Sequence, residues 1–280
     1  MHNAAFAALG LDWCYLAFEV APEHLRTAIE GAQAMNFAGL NLTVPHKILA
    51  LDLVDALDES ARTWGAVNTI RFEGQGADGQ WRRLSEFAAD GADAPVARRT
   101  QGFNTDADGI SRSLREDLDL GLRGKRVLLL GAGGAGRAIA LKLASEQVAE
   151  LFLVNRTQSK ADEVAVEIRL RFPALPVTVG YPPDAVDLLI NATSLGLKPA
   201  DALPLDLDRF PLPRARAVYD TIYRPATTPL LAAAQAAGCR TANGLGMLLH
   251  QGAAAFEIWT GRSAPLAVMR QALEQSIYAR

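Results

Sequence analysis

Apolar and polar positions along this chain follow two rhythms that take turns. Residues 21–35, APEHLRTAIEGAQAM, have the spacing of a helix, with Pro22 acceptable near its start. GLNLTVPHK follows as a short strand running into a loop. Pro45 stops that strand and opens a helix expected over about 47–57. GAVNTIRFE reads as another strand. Residues 74–101 are rich in Gly, Ala, Asp and Arg with weak periodicity, which predicts a long surface hairpin or loop. The pattern resumes at GFNTDADG, with a helix from about 107 to 119. RVLLLGAGGAGRAIALKLASE is strand, turn, helix. LFLVNRT, PVTVG, DLLINATS and ARAVYDTIY supply further strand ends. TPLLAAAQAAG, LGMLLHQGAAAFEIWTG and PLAVMRQALEQSIYAR read as helices. This alternation of strand and helix predicts an α/β fold. No internal repeat of solenoid length is evident.

Composition narrows the class. At 280 residues the chain is long enough for about two domains. It is 50% hydrophobic and 21% charged, as expected of a globular protein. No charge-free apolar stretch reaches about 18 residues, so no membrane span is expected. The start, MHNAAFAALGLDW, lacks a basic region and carries Asp12, which makes a poor signal peptide. Lys+Arg 28 against Asp+Glu 31 gives a net charge of −3, and nothing global favours nucleic acid or an anionic membrane. Cys14 and Cys239 form neither a metal pair nor a disulfide framework, which fits a reducing cytoplasm. Only five cations are lysines, so a lysine at a special place is informative.

Gly131, Gly133 and Gly136 spell G-x-G-x-x-G between an apolar run, Val127–Leu130, and a helix. That context gives the pattern its meaning. The first glycine turns the chain, the second lets backbone approach a diphosphate, and the third lets the helix pack on the sheet. The helix start then offers free N–H groups to phosphate oxygens. About 20 residues on, after Leu151–Val154, an NAD-binding fold usually places an acid for the ribose hydroxyls. Here Asn155, Arg156 and Thr157 stand instead, with Lys160 close behind. A carboxylate would repel a 2′-phosphate, whereas a guanidinium grips it, so NADP is the expected cofactor. A solvated surface arginine is the plain alternative for Arg156.

Lys47 ends NLTVPHK, and Asp106 sits in GFNTDADG at a helix start. An aspartate there is more often a helix cap than a catalyst. Asn68, Tyr223 and Gln251 are equally compatible with satisfied structural polars. Composition alone does not bring these five together.

Eight segments occur in order: NLTVPHK, GAVNTI, GFNTD, GAGGAGRA, NRTQSKA, NATSLGL, YDTIYRPATTPLL and NGLGMLLHQGAAAFEIWTG. Together they resemble the shikimate dehydrogenase family from His2 to the C-terminal region. The resemblance implies NADPH-dependent reduction of 3-dehydroshikimate to shikimate, on the route to chorismate and the aromatic amino acids. It implies Lys47 and Asp106 as the catalytic pair. It puts substrate contacts at Thr43, Asn68, Tyr223 and Gln251. It puts cofactor contacts at Gly131, Ala132, Gly133, Gly134 and Ala135, at Asn155, Arg156, Thr157 and Lys160, and at Thr221 and Gly244. The residue types suit the chemistry. A hydride reaching a ring ketone leaves an alkoxide that needs a proton and a nearby positive charge, and Lys47 offers both. A polyol needs a ring of neutral hydrogen-bonding groups.

Members of that family carry a strand and a Ser-x-Ser motif just before His-Asn-Ala-Ala-Phe, and the serines bind the substrate carboxylate. This chain begins at Met1-His2-Asn3. The expectation is that the natural start lies upstream, and that this form holds NADP but handles shikimate poorly. The expected architecture is a substrate domain, 1–106 plus 241–280, and a Rossmann-type doubly wound NADP domain, 107–240, with the site in the cleft between them. The expected partner is a small molecule and the expected state a monomer or homodimer in the cytoplasm, with no metal. The alternatives are action on quinate or another cyclic polyol, and a catalytically silent NADP-binding module.

Overall fold

The computed structural model describes residues 1–87, 94–198 and 200–279. They form two compact units: Met1–Asp106 with Gln251–Leu273, and Ala107–His250 with Glu274–Arg280.

The first unit contains α1 (His2–Ala8), α2 (Leu25–Ala34), β1 (Gly39–Asn41), α3 (His46–Leu49), β2 (Ala56–Leu57), α4 (Glu59–Trp64), β3 (Thr69–Gln75), β4 (Trp81–Arg83) and β5 (Ala97–Phe103). Its sheet runs β1-β3-β5-β2, with β4 paired to β3 as well. β3 shows why it forms. Ile70 and Phe72 alternate with Arg71 and Glu73, and the apolar pair joins Leu25, Ile29 and Ala32 of α2 in one core. The three α2 residues lie at i, i+4 and i+7, one stripe of a helix. On the other face the buried Glu73 carboxylate is held by Arg71 and by Arg99, the latter at 2.6 Å. Among the described strands, β1 pairs only with β3.

Two expectations for this unit need correction. The helix expected over 47–57 ends at Leu49, with a short 3-10 turn to Asp52. Ala56 and Leu57 instead pair in parallel with Gln101 and Gly102, so sheet pairing overrides local helix preference. The stretch 74–101 starts as the expected hairpin, but it is more than a surface hairpin or loop. Its first residues extend β3, Trp81–Arg83 return along β3, and β5, which starts at Ala97, lies inside the sheet between β3 and β2. Residues 88–93 of that stretch lie outside the described residues.

The second unit contains α5 (Asp106–Leu118, its first residue belonging to the first unit), β6 (Arg126–Leu130), α6 (Gly134–Ser145), β7 (Glu150–Val154), α7 (Gln158–Arg171), β8 (Val177–Val179), β9 (Val186–Asn191), β10 (Ala215–Asp220), α8 (Pro229–Ala236) and β11 (Arg240–Asn243). Two helices close the chain, α9 (Leu245–Thr260) and α10 (Leu266–Tyr278). The six strands are all parallel, in the order β11-β10-β9-β6-β7-β8. Counted from β6 and read from the β8 edge, that is 3-2-1-4-5-6, the doubly wound Rossmann order. Parallel strands covered on both faces read as apolar runs. Val127–Leu130 and Leu188–Ile190 are such runs, and all are buried. Residues 241–250 and 274–280, expected with the substrate domain, group here with the second unit, where β11 extends this sheet beside β10. No helix among the described residues is long and apolar enough to cross a membrane.

Candidate functional site

Lys47 lies on α3, and its backbone carbonyl accepts from Val67 N–H at 2.8 Å, which ties the helix to the segment leading into β3. Its Nζ meets Asp106 Oδ2 at 2.7 Å, with the side chains 27% and 18% exposed. Two residues 59 apart in sequence are thus joined by a charge-assisted hydrogen bond that solvent still reaches.

The Asp106 carboxylate is turned to Lys47 rather than used as a helix cap. Asn104 takes the capping role: its Oδ1 accepts from Asp106 N–H at 3.1 Å, its own N–H donates to Ser60 Oγ, and its Nδ2 donates to the Ala66 carbonyl. This Asx-type turn fixes the direction in which Asp106 leaves the sheet. Asn68 holds the next residue. Its Oδ1 accepts from Thr105 N–H at 2.9 Å, and its Nδ2 donates to Thr105 Oγ1 at 2.9 Å. Asn68 is 2% exposed, and one Nδ2 hydrogen is left over for another acceptor. Asn41 Nδ2 bonds the Asn68 carbonyl and Thr69 Oγ1, which extends the network to β1. Asn104, Thr105 and Asn41 are functional neighbours that pattern reading does not single out. The Asn two residues ahead of a helix start is the signal that finds the first of them.

Thr43 is exposed, and its carbonyl accepts from His46 N–H. Gln251 is half-buried on α9. The first unit therefore holds Thr43, Lys47, Asn68, Asp106 and Gln251, and the second holds Tyr223, Thr221 and Gly244. Tyr223 is 37% exposed, and its carbonyl accepts from Tyr278 Oη. Thr221 and Gly244 are neighbours: a Cβ on Gly244 would overlap the Thr221 carbonyl. Below them a buried network joins the ends of β9 and β10. Asn191 Nδ2 and Ile222 N–H both donate to Asp220 Oδ1, and Thr228 Oγ1 donates to Oδ2 at 2.6 Å. Burial pushes the Asp220 carboxyl above its ordinary range, against the pull of these donors.

The glycine loop sits at the end of β6, where the strand order reverses. Gly131 has φ +105°, and a Cβ there would come within 2.9 Å of the Ala192 carbonyl group. A Cβ on Gly136 would overlap the Gly131 carbonyl oxygen, so the helix approaches its own loop only without a side chain. A Cβ on Gly133 or Gly134 would meet no other part of the chain within 4 Å, so the space there is open. Gly133 precedes α6, and no side chain caps the helix. Ala132 stands apart from this open set, because its N–H is already given to Asn155 Oδ1 at 3.1 Å. Arg156, Thr157 and Lys160 are exposed at the start of α7, and the Thr157 hydroxyl makes no capping bond. The second unit thus offers an uncapped helix start and, one strand over, two cations with a hydroxyl. That set suits a ligand with a diphosphate and a further phosphate.

Three family models match. The shikimate dehydrogenase substrate binding domain matches residues 1–70, the shikimate/quinate 5-dehydrogenase model matches 114–194, and the shikimate 5′-dehydrogenase C-terminal domain matches 244–274. A shikimate dehydrogenase (NADP(+)) of Methanopyrus kandleri is 39% identical over 98% of this chain and 89% of its own. Two solved structures are similar. The 5-ketofructose reductase of Gluconobacter sp. strain CHM43 is 36% identical with a TM-score of 0.79, covering 98% of this chain and 92% of that one. Shikimate 5-dehydrogenase of Thermus thermophilus, in complex with NADP(H) and shikimate, is 33% identical with a TM-score of 0.78 and the same coverage.

Proposed function

The chain belongs to the shikimate dehydrogenase family, and from that premise we propose that it is an NADP(H)-dependent oxidoreductase interconverting 3-dehydroshikimate and shikimate. The observation that carries the reading is the 2.7 Å bond between Lys47 and Asp106. NADPH, when bound, supplies the hydride for the ring ketone. Lys47 donates the proton to the ketone oxygen as it becomes an alkoxide, and its charge stabilises that oxygen meanwhile. Asp106 holds the ammonium in place, itself held by the Asn104 turn. In the reverse direction the neutral amine takes the hydroxyl proton. Thr43, Asn68, Tyr223 and Gln251 are the proposed partners for the substrate hydroxyls, with Asn68 using its remaining amide hydrogen.

Residues Gly133–Ala135 are the proposed hold on the coenzyme diphosphate, and Arg156, Thr157 and Lys160 on its 2′-phosphate, with Thr221 and Gly244 as further proposed coenzyme contacts. The open space at Gly133 and Gly134 and the unspent Thr157 hydroxyl support that fit. A reductase drawing on NADPH works where that pool is kept, which favours the cytoplasm for the proposed activity. The likeness to the 5-ketofructose reductase favours a second reading, the same pair acting on another polyhydroxy ketone. The test is NADP+ reduction followed by absorbance with shikimate, and NADPH oxidation with 5-ketofructose. NADPH formation that saturates with shikimate is expected. Turnover of the ketohexose, with none of shikimate at any concentration, would transfer the proposal to the second reading.

A further inference from the structure

The β6–β7 ladder ends with Leu130 opposite Val154, and the Gly131 N–H bonds the Val154 carbonyl at 2.8 Å just beyond it. One residue further, a side chain takes over from backbone. Asn155 Oδ1 accepts from the Ala132 N–H at 3.1 Å, and Asn155 Nδ2 donates to the Thr157 carbonyl at 2.8 Å. Both ends of one rigid, planar amide are therefore spent on main chain. One end lies in the glycine loop that leads to α6, the other in the turn that leads to α7. A second tie joins the same helices: Arg137 of α6 grips both carboxylate oxygens of Glu167 on α7, at 2.8 and 2.7 Å.

We propose that Asn155 is a positioning residue that fixes the spacing between the diphosphate loop and the 2′-phosphate turn, and acts on the coenzyme through those two segments. This rests on the coenzyme reading above. Taking the Ala132 N–H orients the next amides of the loop outward, and holding the Thr157 carbonyl sets the direction in which Arg156 and Lys160 leave the strand. The residue type matters as much as the place. An aspartate would still accept from Ala132, but it would bring a carboxylate against the Thr157 carbonyl and against a 2′-phosphate. An amide is the group that accepts on one side and donates on the other without charge.

The bracket and a direct phosphate contact predict different losses. A residue that touches only the 2′-phosphate affects NADP+ and spares NAD+. A residue that holds the loops affects both, because both coenzymes carry the diphosphate. The experiment titrates NADP+ and NAD+ into the full chain, its Asn155→Ala, Asn155→Asp and Arg156→Ala variants, at one fixed salt concentration. For Asn155→Ala, affinity for both coenzymes should fall by a similar factor, about tenfold. Arg156→Ala should weaken NADP+ alone. Asn155→Asp keeps the Ala132 tie and loses the Thr157 one, so it should recover part of the NAD+ affinity lost in Asn155→Ala while leaving NADP+ weakened at least tenfold. Loss confined to NADP+ in Asn155→Ala, or no loss for either coenzyme, would overturn the bracket. So would an Asn155→Asp variant that binds NAD+ tenfold or more weakly than the parent, a result that stands even where the alanine variant fails to fold. A parent chain that binds neither coenzyme would instead remove the coenzyme reading itself.

Discussion

Arg156 and Lys47 show two ways in which a single side chain becomes readable. Arg156 stands where the second strand of a dinucleotide-binding fold usually delivers an acid, so its meaning comes from a missing carboxylate. In the structure it is exposed at the start of α7, with the Thr157 hydroxyl uncommitted beside it. Charge-assisted contacts of this kind contribute roughly 1.5–3 kcal/mol. Arg156→Ala should therefore raise the NADP+ dissociation constant by roughly 10–150-fold, at 1.4 kcal/mol per tenfold, and leave NAD+ nearly unchanged. Equal loss for both, measured by titration, would contradict the phosphate clamp. Lys47 is different. Nothing in NLTVPHK says that its partner lies 59 residues away. The pair is legible only through the order of eight motifs, because a contact across the chain depends on the sheet that brings α3 to the start of α5. The Asn104 turn leaves only the faint signal of an Asn two residues ahead of a helix start, and the double grip of Asn68 on Thr105 leaves none, since Asn and Thr in a loop satisfy many geometries.

Elements divide in the same way. The second sheet is readable strand by strand because parallel strands buried on both faces are nearly pure apolar runs, as Val127–Leu130 shows. The helix expected over 47–57 fails because Ala56 and Leu57 gain more by pairing with β5 than local preference offers. α7 is hidden by its charges, although Ala161, Val164, Ala165 and Ile168 form a buried stripe at i, i+3, i+4 and i+7. The junction of β6 and α6 yields a sharper expectation. A methyl on Gly136 meets the Gly131 carbonyl, a backbone group that cannot swing aside. Gly136→Ala should displace the loop, cost about 1–3 kcal/mol of stability, and raise KM for NADP+ more than for shikimate. Thermal denaturation and steady-state kinetics check both parts. An alanine variant of parental stability and KM would mean that the loop yields without consequence.

At the scale of the whole molecule, pH enters through a buried histidine. His2 is 4% exposed, stacked on Tyr15 at 4.4 Å and close to Trp259 and Phe6. Burial pushes its imidazole down from 6.5 to about 4. Between those values the unfolded chain binds a proton that the folded chain refuses, so folding stability rises with pH across that window. The loss on acidification from pH 7 to 4 amounts to about 3 kcal/mol from this group. His2→Gln should flatten that part of the profile, as denaturant midpoints at several pH values would record. A parent profile that stays level from pH 7 to 4 would contradict the buried neutral imidazole. The chemistry of Lys47 is read from kcat and KM for NADP+-linked shikimate oxidation, in the parent chain and in Lys47→Ala. A lost general acid costs about 10²–10⁴-fold in rate. Lys47→Ala should lower kcat by that factor with KM for shikimate little changed. An unchanged kcat with a raised KM would make Lys47 a binding residue and contradict the mechanism.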